Sequence, residues 1–114
     1  MIPANTKNSG SARIFIFPEK HGYTAICLDF GVLGFGETLE EAEKDIKDAV
    51  IGHLETVREN NLPDYLLNRP APEEYWKKFE AYQKSVLSGK AGRASRSTRN
   101  SAFISLPIRS LSTA

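Results

Sequence analysis

Gly34-Phe35-Gly36-Glu37-Thr38-Leu39-Glu40-Glu41-Ala42 is the hinge of this sequence, because an extended residue pattern gives way there to a helical one. Thr38-Leu39-Glu40-Glu41 is a capping box, in which the Thr38 hydroxyl accepts the Glu41 amide and the Glu41 carboxylate reaches back. Downstream, Leu39, Ala42, Ile46, Ala49, Val50, His53, Leu54 and Val57 recur at helical spacing and form one apolar stripe. The opposite face carries Glu40–Lys44 and Glu43–Lys47, acid-first pairs four residues apart, the better orientation. Acids crowd the helix start, where they complement the dipole. The spacing predicts a helix over 38–60, stopped by Asn60-Asn61-Leu62-Pro63.

Upstream, Gly31-Val32-Leu33-Gly34-Phe35-Gly36 reads as a glycine-spaced turn and a short third strand, with the glycines serving the turn. Tyr23 to Phe30 is a second strand, with Ile26, Leu28 and Phe30 on one face and Cys27 on the other. Arg13-Ile14-Phe15-Ile16-Phe17 is β-branched and aromatic, and its apolar residues point both ways. Such a strand is covered on both sides or lies near the sheet centre. Pro18-Glu19-Lys20-His21-Gly22 is turn chemistry, so the first two strands form an antiparallel hairpin.

Beyond the long helix, Pro70 and Pro72 keep the chain irregular, and Pro72 then suits the start of a second helix. Tyr75, Trp76, Phe79, Tyr82, Val86 and Leu87 fall on one side of that helix, which ends at Gly89. Residues 90–100 are Gly, Ser, Ala, Thr, Asn and basic residues, with nothing to bury. Ala102, Ile104, Leu106 and Ile108 then alternate with Ser101, Phe103, Ser105 and Pro107, which is strand periodicity with an edge or end at the proline. The expected organisation is a flexible arm at 1–12, a single α+β domain at 13–89, and a basic Ser/Arg-rich linker with a terminal strand at 90–114. The fold class is α+β: an antiparallel three- to four-stranded sheet, β-β-β-α then α and a late β, with the long amphipathic helix on one face.

A chain of 114 residues with 40% hydrophobic and 25% charged side chains suits one small globular domain. Its single cysteine, Cys27, makes no internal disulfide, which argues against a stapled secreted scaffold. Met1 to Ala12 lacks the apolar core of a signal peptide, and the run Ile14 to Phe17 is far too short to span a bilayer. The expectation is a cytoplasmic protein with no membrane partner. A net charge of +1 excludes a uniformly basic nucleic-acid coat. The average hides a polarity, since residues 1–83 hold 9 basic and 14 acidic side chains while residues 84–114 hold 6 basic and none acidic.

The order strand, strand, short strand, helix, with the string Gly34 to Ala42, resembles the HicB family of antitoxins over roughly residues 13–60. In that family an aromatic strand ends in an Asp, a glycine turn follows, and Gly-x-Thr-x-x-Glu-Ala opens the long helix. Tyr23 to Phe30 with Asp29, and Gly36, Thr38, Glu41 and Ala42, occupy those places here. The chain departs from the family pattern in reading Gly31-Val32-Leu33 where Pro-Gly-Cys is usual, and in interposing an aromatic helix at 72–88. The resemblance implies a degraded ribonuclease-H-like sheet with one helix packed on it, no catalysis, and a protein partner. That partner is a HicA-type toxin, a small basic messenger ribonuclease that an acidic surface masks as a phosphate mimic.

Several clusters bear on that expectation, each with a plain structural reading beside the functional one. Asp29, Glu37, Glu40, Glu41, Asp45 and Asp48 are either a solvated flank with dipole complementation or a docking surface for the toxin. Tyr75, Trp76, Phe79 and Tyr82 serve either core packing or a dimer seam. Lys90, Arg93, Arg96 and Arg99 belong either to a soluble linker or to a phosphate-binding arm of a dimeric DNA- or RNA-binding regulator. Metal-dependent nuclease chemistry needs carboxylates gathered on strands, and the first strand has none, so no catalytic residue, metal or cofactor is expected. His53 within the apolar stripe reads as structural, His21 lies in the hairpin turn, and Cys27 reads as a packed thiol. Gly34-x-Gly36 lacks the remaining glycine of a nucleotide loop.

Overall fold

The aromatic-aliphatic segment at the start of the domain forms the longest strand, β1 (Ser11–Glu19), and turns back into β2 (Gly22–Cys27). A computed structural model of the chain describes residues 5–87 and 101–111. It continues through β3 (Leu33–Gly36), α1 (Leu39–Glu59), a 3-10 turn at Asp64–Leu67, α2 (Glu73–Leu87), β4 (Ala102–Pro107) and a 3-10 turn at Ile108–Ser110. The sheet order is β3-β2-β1-β4 and every neighbouring pair is antiparallel. The expected α+β class, the four-stranded antiparallel sheet and the long helix are all present.

Both-faced apolarity of β1 has the cause read from its sequence: the strand is central and both faces are covered. Ala12, Ile14 and Ile16 join Ala42, Ile46, Val50 and Leu54 of α1 in one core. Phe15 and Phe17 join Ile26, Leu28 and Phe79 in a second core beneath α2. The stripe of α1 buries Ala42, Ile46, Val50, Leu54 and Val57. Thr38 caps that helix as expected, its hydroxyl accepting the Glu41 N–H at 3.1 Å, while Glu41 accepts the N–H of Glu37 at 3.0 Å. Of the two acid-first pairs, Glu43–Lys47 closes to 2.7 Å.

Four readings need revision. The second strand ends at Cys27, where Gly31 (φ 75°) donates its N–H to the Cys27 carbonyl at 2.9 Å. That turn rolls Phe30 to the α1 side against His53, away from Ile26 and Leu28. Gly34 and Gly36 lie within β3 and serve helix approach instead of a turn. A Cβ at Gly34 would stand 2.7 Å from the Ile46 nitrogen, and one at Gly36 would meet the Ala42 nitrogen. Residues 11 and 12 are part of β1, and from Asn5 onward the expected loose arm is tied down. Asn5 is 4% exposed, donates from Nδ2 to the Leu67 carbonyl and from its N–H to Asn68 Oδ1, both at 2.9 Å, and accepts the Ser11 N–H. Polar composition hid this tie because side-chain amides make it, not apolar burial. The terminal strand 102–107 pairs with β1 of its own chain, so the domain includes it and is not closed at 89.

Candidate functional site

Five of the six predicted carboxylates lie along the end of β3 and on α1, whereas Asp29 sits at the open end of the β1–β2 hairpin, away from its turn, and by task the six divide into two groups. Three have structural tasks. Asp29 follows β2 and holds the start of β1, accepting the Arg13 N–H at 2.9 Å and the guanidinium Nη2 at 2.7 Å. The Arg13 guanidinium also lies over the Trp76 ring, 5.3 Å from its centroid, so the pair links the sheet to α2. The hydrogen-bonded Asp29 raises the Arg13 pKa above its ordinary value, against an opposing effect of burial. Glu41 is spent on the helix start. Asp45, one α1 turn further on, accepts the N–H of Phe35 at 2.9 Å.

The other three, Glu37, Glu40 and Asp48, are exposed like Glu41 and Asp45, but their carboxylates take no part in those hydrogen bonds. Glu40 and Asp48 border a shallow depression of about 400 Å³ on the α1 flank, together with Glu43, Lys44, Lys47 and Ile51. Glu37 borders a separate open cleft of about 630 Å³, whose walls include Glu19, Lys20, His21, Tyr23, Phe35 and Glu41. Sequence reasoning passed over Phe35 there. Its ring stands on the sheet face away from α1 and is 60% exposed, beside Leu33 at 39%. The flanking glycines were the available signal, since neither neighbour has a side chain on the strand.

An exposed aromatic ring rimmed by carboxylates is suited to a guanidinium or ammonium group, through face contact and ion pairing together. Cys27 lies elsewhere, fully buried under α1, and burial pushes its thiol up to about 12. Among the described residues no three His, Cys, Asp or Glu side chains gather at metal-binding distance. His53 is half-buried and donates from its ring to the Leu66 carbonyl at 2.7 Å, a structural tie.

The four aromatics of α2 all engage their own sheet. Phe79 is 5% exposed and packs on Phe15 at 5.5 Å, Tyr82 meets Phe15 at 5.4 Å, and Tyr75 meets Phe17 at 6.1 Å. Trp76 lies against Phe79 and Arg13. Lys90, Arg93, Arg96 and Arg99 lie outside the described residues. Among those described, no helix is long and apolar enough to cross a membrane. The structure also reveals Arg58 as a clamp, donating to the carbonyls of Lys7, Ile108 and Leu111 at 2.7–3.0 Å. No family model, no curated protein and no solved structure matches this chain.

Proposed function

We propose that the protein is a non-catalytic, HicB-like antitoxin that binds a basic HicA-type messenger ribonuclease and masks its phosphate-gripping surface. The observation that carries this reading is the exposed Phe35 ring at an open cleft whose walls hold Glu19, Glu37 and Glu41 beside Lys20 and His21, with Glu40 and Asp48 further along α1. A protein whose first 83 residues carry five more acids than bases attracts a basic partner at long range, and the cleft then supplies the contact. The resemblance over residues 13–60 supports the same partner class. Such work requires neither metal nor cofactor, and belongs in the cytoplasm where messenger RNA is cleaved.

The test is titration of the chain with the small basic protein from the neighbouring reading frame. A complex at micromolar concentration in low salt, weakened at least tenfold by Phe35→Ala or Glu37→Lys, is the expected result. No complex under those conditions overturns the proposal. A second reading rests on the six bases without an acid in residues 84–114: a nucleic-acid-binding regulator acting through Lys90, Arg93, Arg96 and Arg99. Replacing those four by serine leaves β4 untouched, whereas deleting 90–114 would remove a strand of the sheet. A gel shift that is steeply salt-dependent and lost in the fourfold variant supports this second reading; mobility unchanged by the substitutions removes it.

A further inference from the structure

The sheet has two edges, and the sequence treats them in opposite ways. At the β3 edge, Val32 accepts the Cys27 N–H at 2.9 Å, so Gly34 and Gly36 also face β2 while Leu33 and Phe35 direct their backbone groups outward. The outward N–H of Phe35 is already taken by the Asp45 carboxylate. A charged side chain folded onto an edge in this way is a standard guard against strand addition.

Among the described residues the β4 edge carries no such guard. Ile108 donates its N–H to the Gly10 carbonyl at 3.0 Å, which makes Ala12–Leu106, Ile14–Ile104 and Ile16–Ala102 the hydrogen-bonded pairs. The backbone N–H and C=O groups of Phe103 and Ser105 therefore point away from β1, and no further described strand lies beyond them. Ala102–Pro107 contains no charged residue. Beside this edge runs an apolar groove of about 310 Å³ lined by Phe79, Tyr82, Gln83, Val86, Leu87 and Phe103. Val86 is 54% exposed, Leu87 86% and Phe103 38%. On the other face of β4, Ala102, Ile104 and Leu106 are covered only in part.

We propose that a second copy of this chain docks here, its β4 running antiparallel to the first about a two-fold axis at Ile104, to make one continuous eight-stranded sheet. The register closes on itself. Phe103 falls opposite the partner's Ser105 and Ser105 opposite the partner's Phe103, so the outward groups of the two strands exchange four backbone hydrogen bonds. Each large ring then lies beside a small hydroxyl side chain instead of a second ring. Pro107, which has no N–H, falls beyond those four bonds and removes none of them.

Charge selects the same occupant. Neither the strand nor the groove lining bears a charged side chain, so two identical surfaces meet there without burying like charges. The extent is adequate as well. A standard interface takes about a tenth of a small protein's surface per partner, roughly 700 Å² of the 7070 Å² present here. A strand some 20 Å long, with an apolar helix end alongside, provides contact of that order. This inference is independent of what the acidic cleft binds.

Sedimentation equilibrium of the full chain is the direct test, with a dimer of twice 12.7 kDa expected at micromolar concentration. Leu87→Glu, at a fully exposed position, should weaken the dimer at least tenfold while leaving the circular dichroism spectrum unchanged. Ile104→Cys should form an intermolecular disulfide under mild oxidation, because the two-fold places this residue opposite itself as a close non-bonded pair. Cys27 is buried and does not compete. A chain that stays monomeric across the micromolar range overturns the proposal, including the case in which a strand of a different protein is the natural occupant. So does a dimer indifferent to Leu87→Glu that also fails to cross-link through residue 104.

Discussion

On one face of the sheet α1 lies so close that β3 has no room for a Cβ at Gly34 or Gly36; on the other, α2 stands off on a layer of aromatic rings. The first contact is made between backbones, with Ile46 and Ala42 seated directly over the strand. The second is made between ring tips, through Phe15, Phe17, Tyr75, Phe79 and Tyr82 at centroid separations of 5.3–6.5 Å. Close packing covers the strands it touches and leaves little surface to recruit a partner. Standing off on rings leaves margins uncovered, and both exposed apolar patches, Leu33–Phe35 and Val86–Leu87–Phe103, lie on the α2 face. The surfaces available for recognition thus lie beside α2.

The contrast breaks most readily at Phe15, whose ring meets Phe17, Phe79 and Tyr82 at once. Phe15→Ala should lower stability by about 3–5 kcal/mol, read by urea denaturation, with Trp76 emission shifting to the red before the far-ultraviolet signal of α1 is lost. Simultaneous loss of both signals would show that the two faces are one cooperative unit. Gly34→Ala probes the close face and should cost about 1–3 kcal/mol, since the added methyl meets the Ile46 backbone. Gly52→Ala is its control on the same helix. Nothing lies within 4 Å of a Cβ there, so alanine should stabilise by up to about 1 kcal/mol through helix propensity alone. If Gly34→Ala were also neutral, the glycines would not be setting the helix–strand distance.

Thr38→Ala should remove about 1 kcal/mol by leaving the Glu41 N–H without its cap, measured as a lower urea midpoint with an unchanged slope. The smallest effect at neutral pH belongs to Cys27. Its folded pKa of about 12 stands above the ordinary 9.0. Protonated thiol is therefore retained by the folded state, and no stability is lost below pH 9.0. Between 9.0 and about 12 the unfolded chain ionises first, so stability declines with rising pH. Cys27→Ala should flatten that alkaline slope relative to the parent chain. In the parent, a thiol reagent at pH 8 should label Cys27 only at the rate of unfolding.

Much of the fold was legible because it rests on local chemistry. Thr38 and Glu41 announce the helix start, the stripe from Ala42 to Val57 announces its buried face, and the two-sided apolarity of Ile14 to Phe17 announces a central strand. Less of the candidate site was legible. Of six acids drawn together by sequence, Asp29, Glu41 and Asp45 hold backbone groups and Glu37, Glu40 and Asp48 do not, and charge alone does not distinguish them. What separates Asp45 from Asp48 is that one reaches the Phe35 amide of an edge strand and the other faces water, a distinction made by packing α1 on β3.

Periodicity and capping are properties of a few consecutive residues, so the order of elements and the inward faces of α1 and β1 follow from the amino-acid string alone. Pairings across dozens of residues are not. The Asn5–Asn68 amide exchange, the Arg58 clamp on Ile108 and Leu111, the rolling of Phe30 onto His53, and the pairing of β4 with β1 all arise only once the sheet has formed. Each satisfies a polar group or fills a space that the chain does not possess until it is folded. That is also why one sheet edge is guarded and the other open: Asp45 and Phe103 carry no mark of it in sequence, and acquire it from what stands next to them.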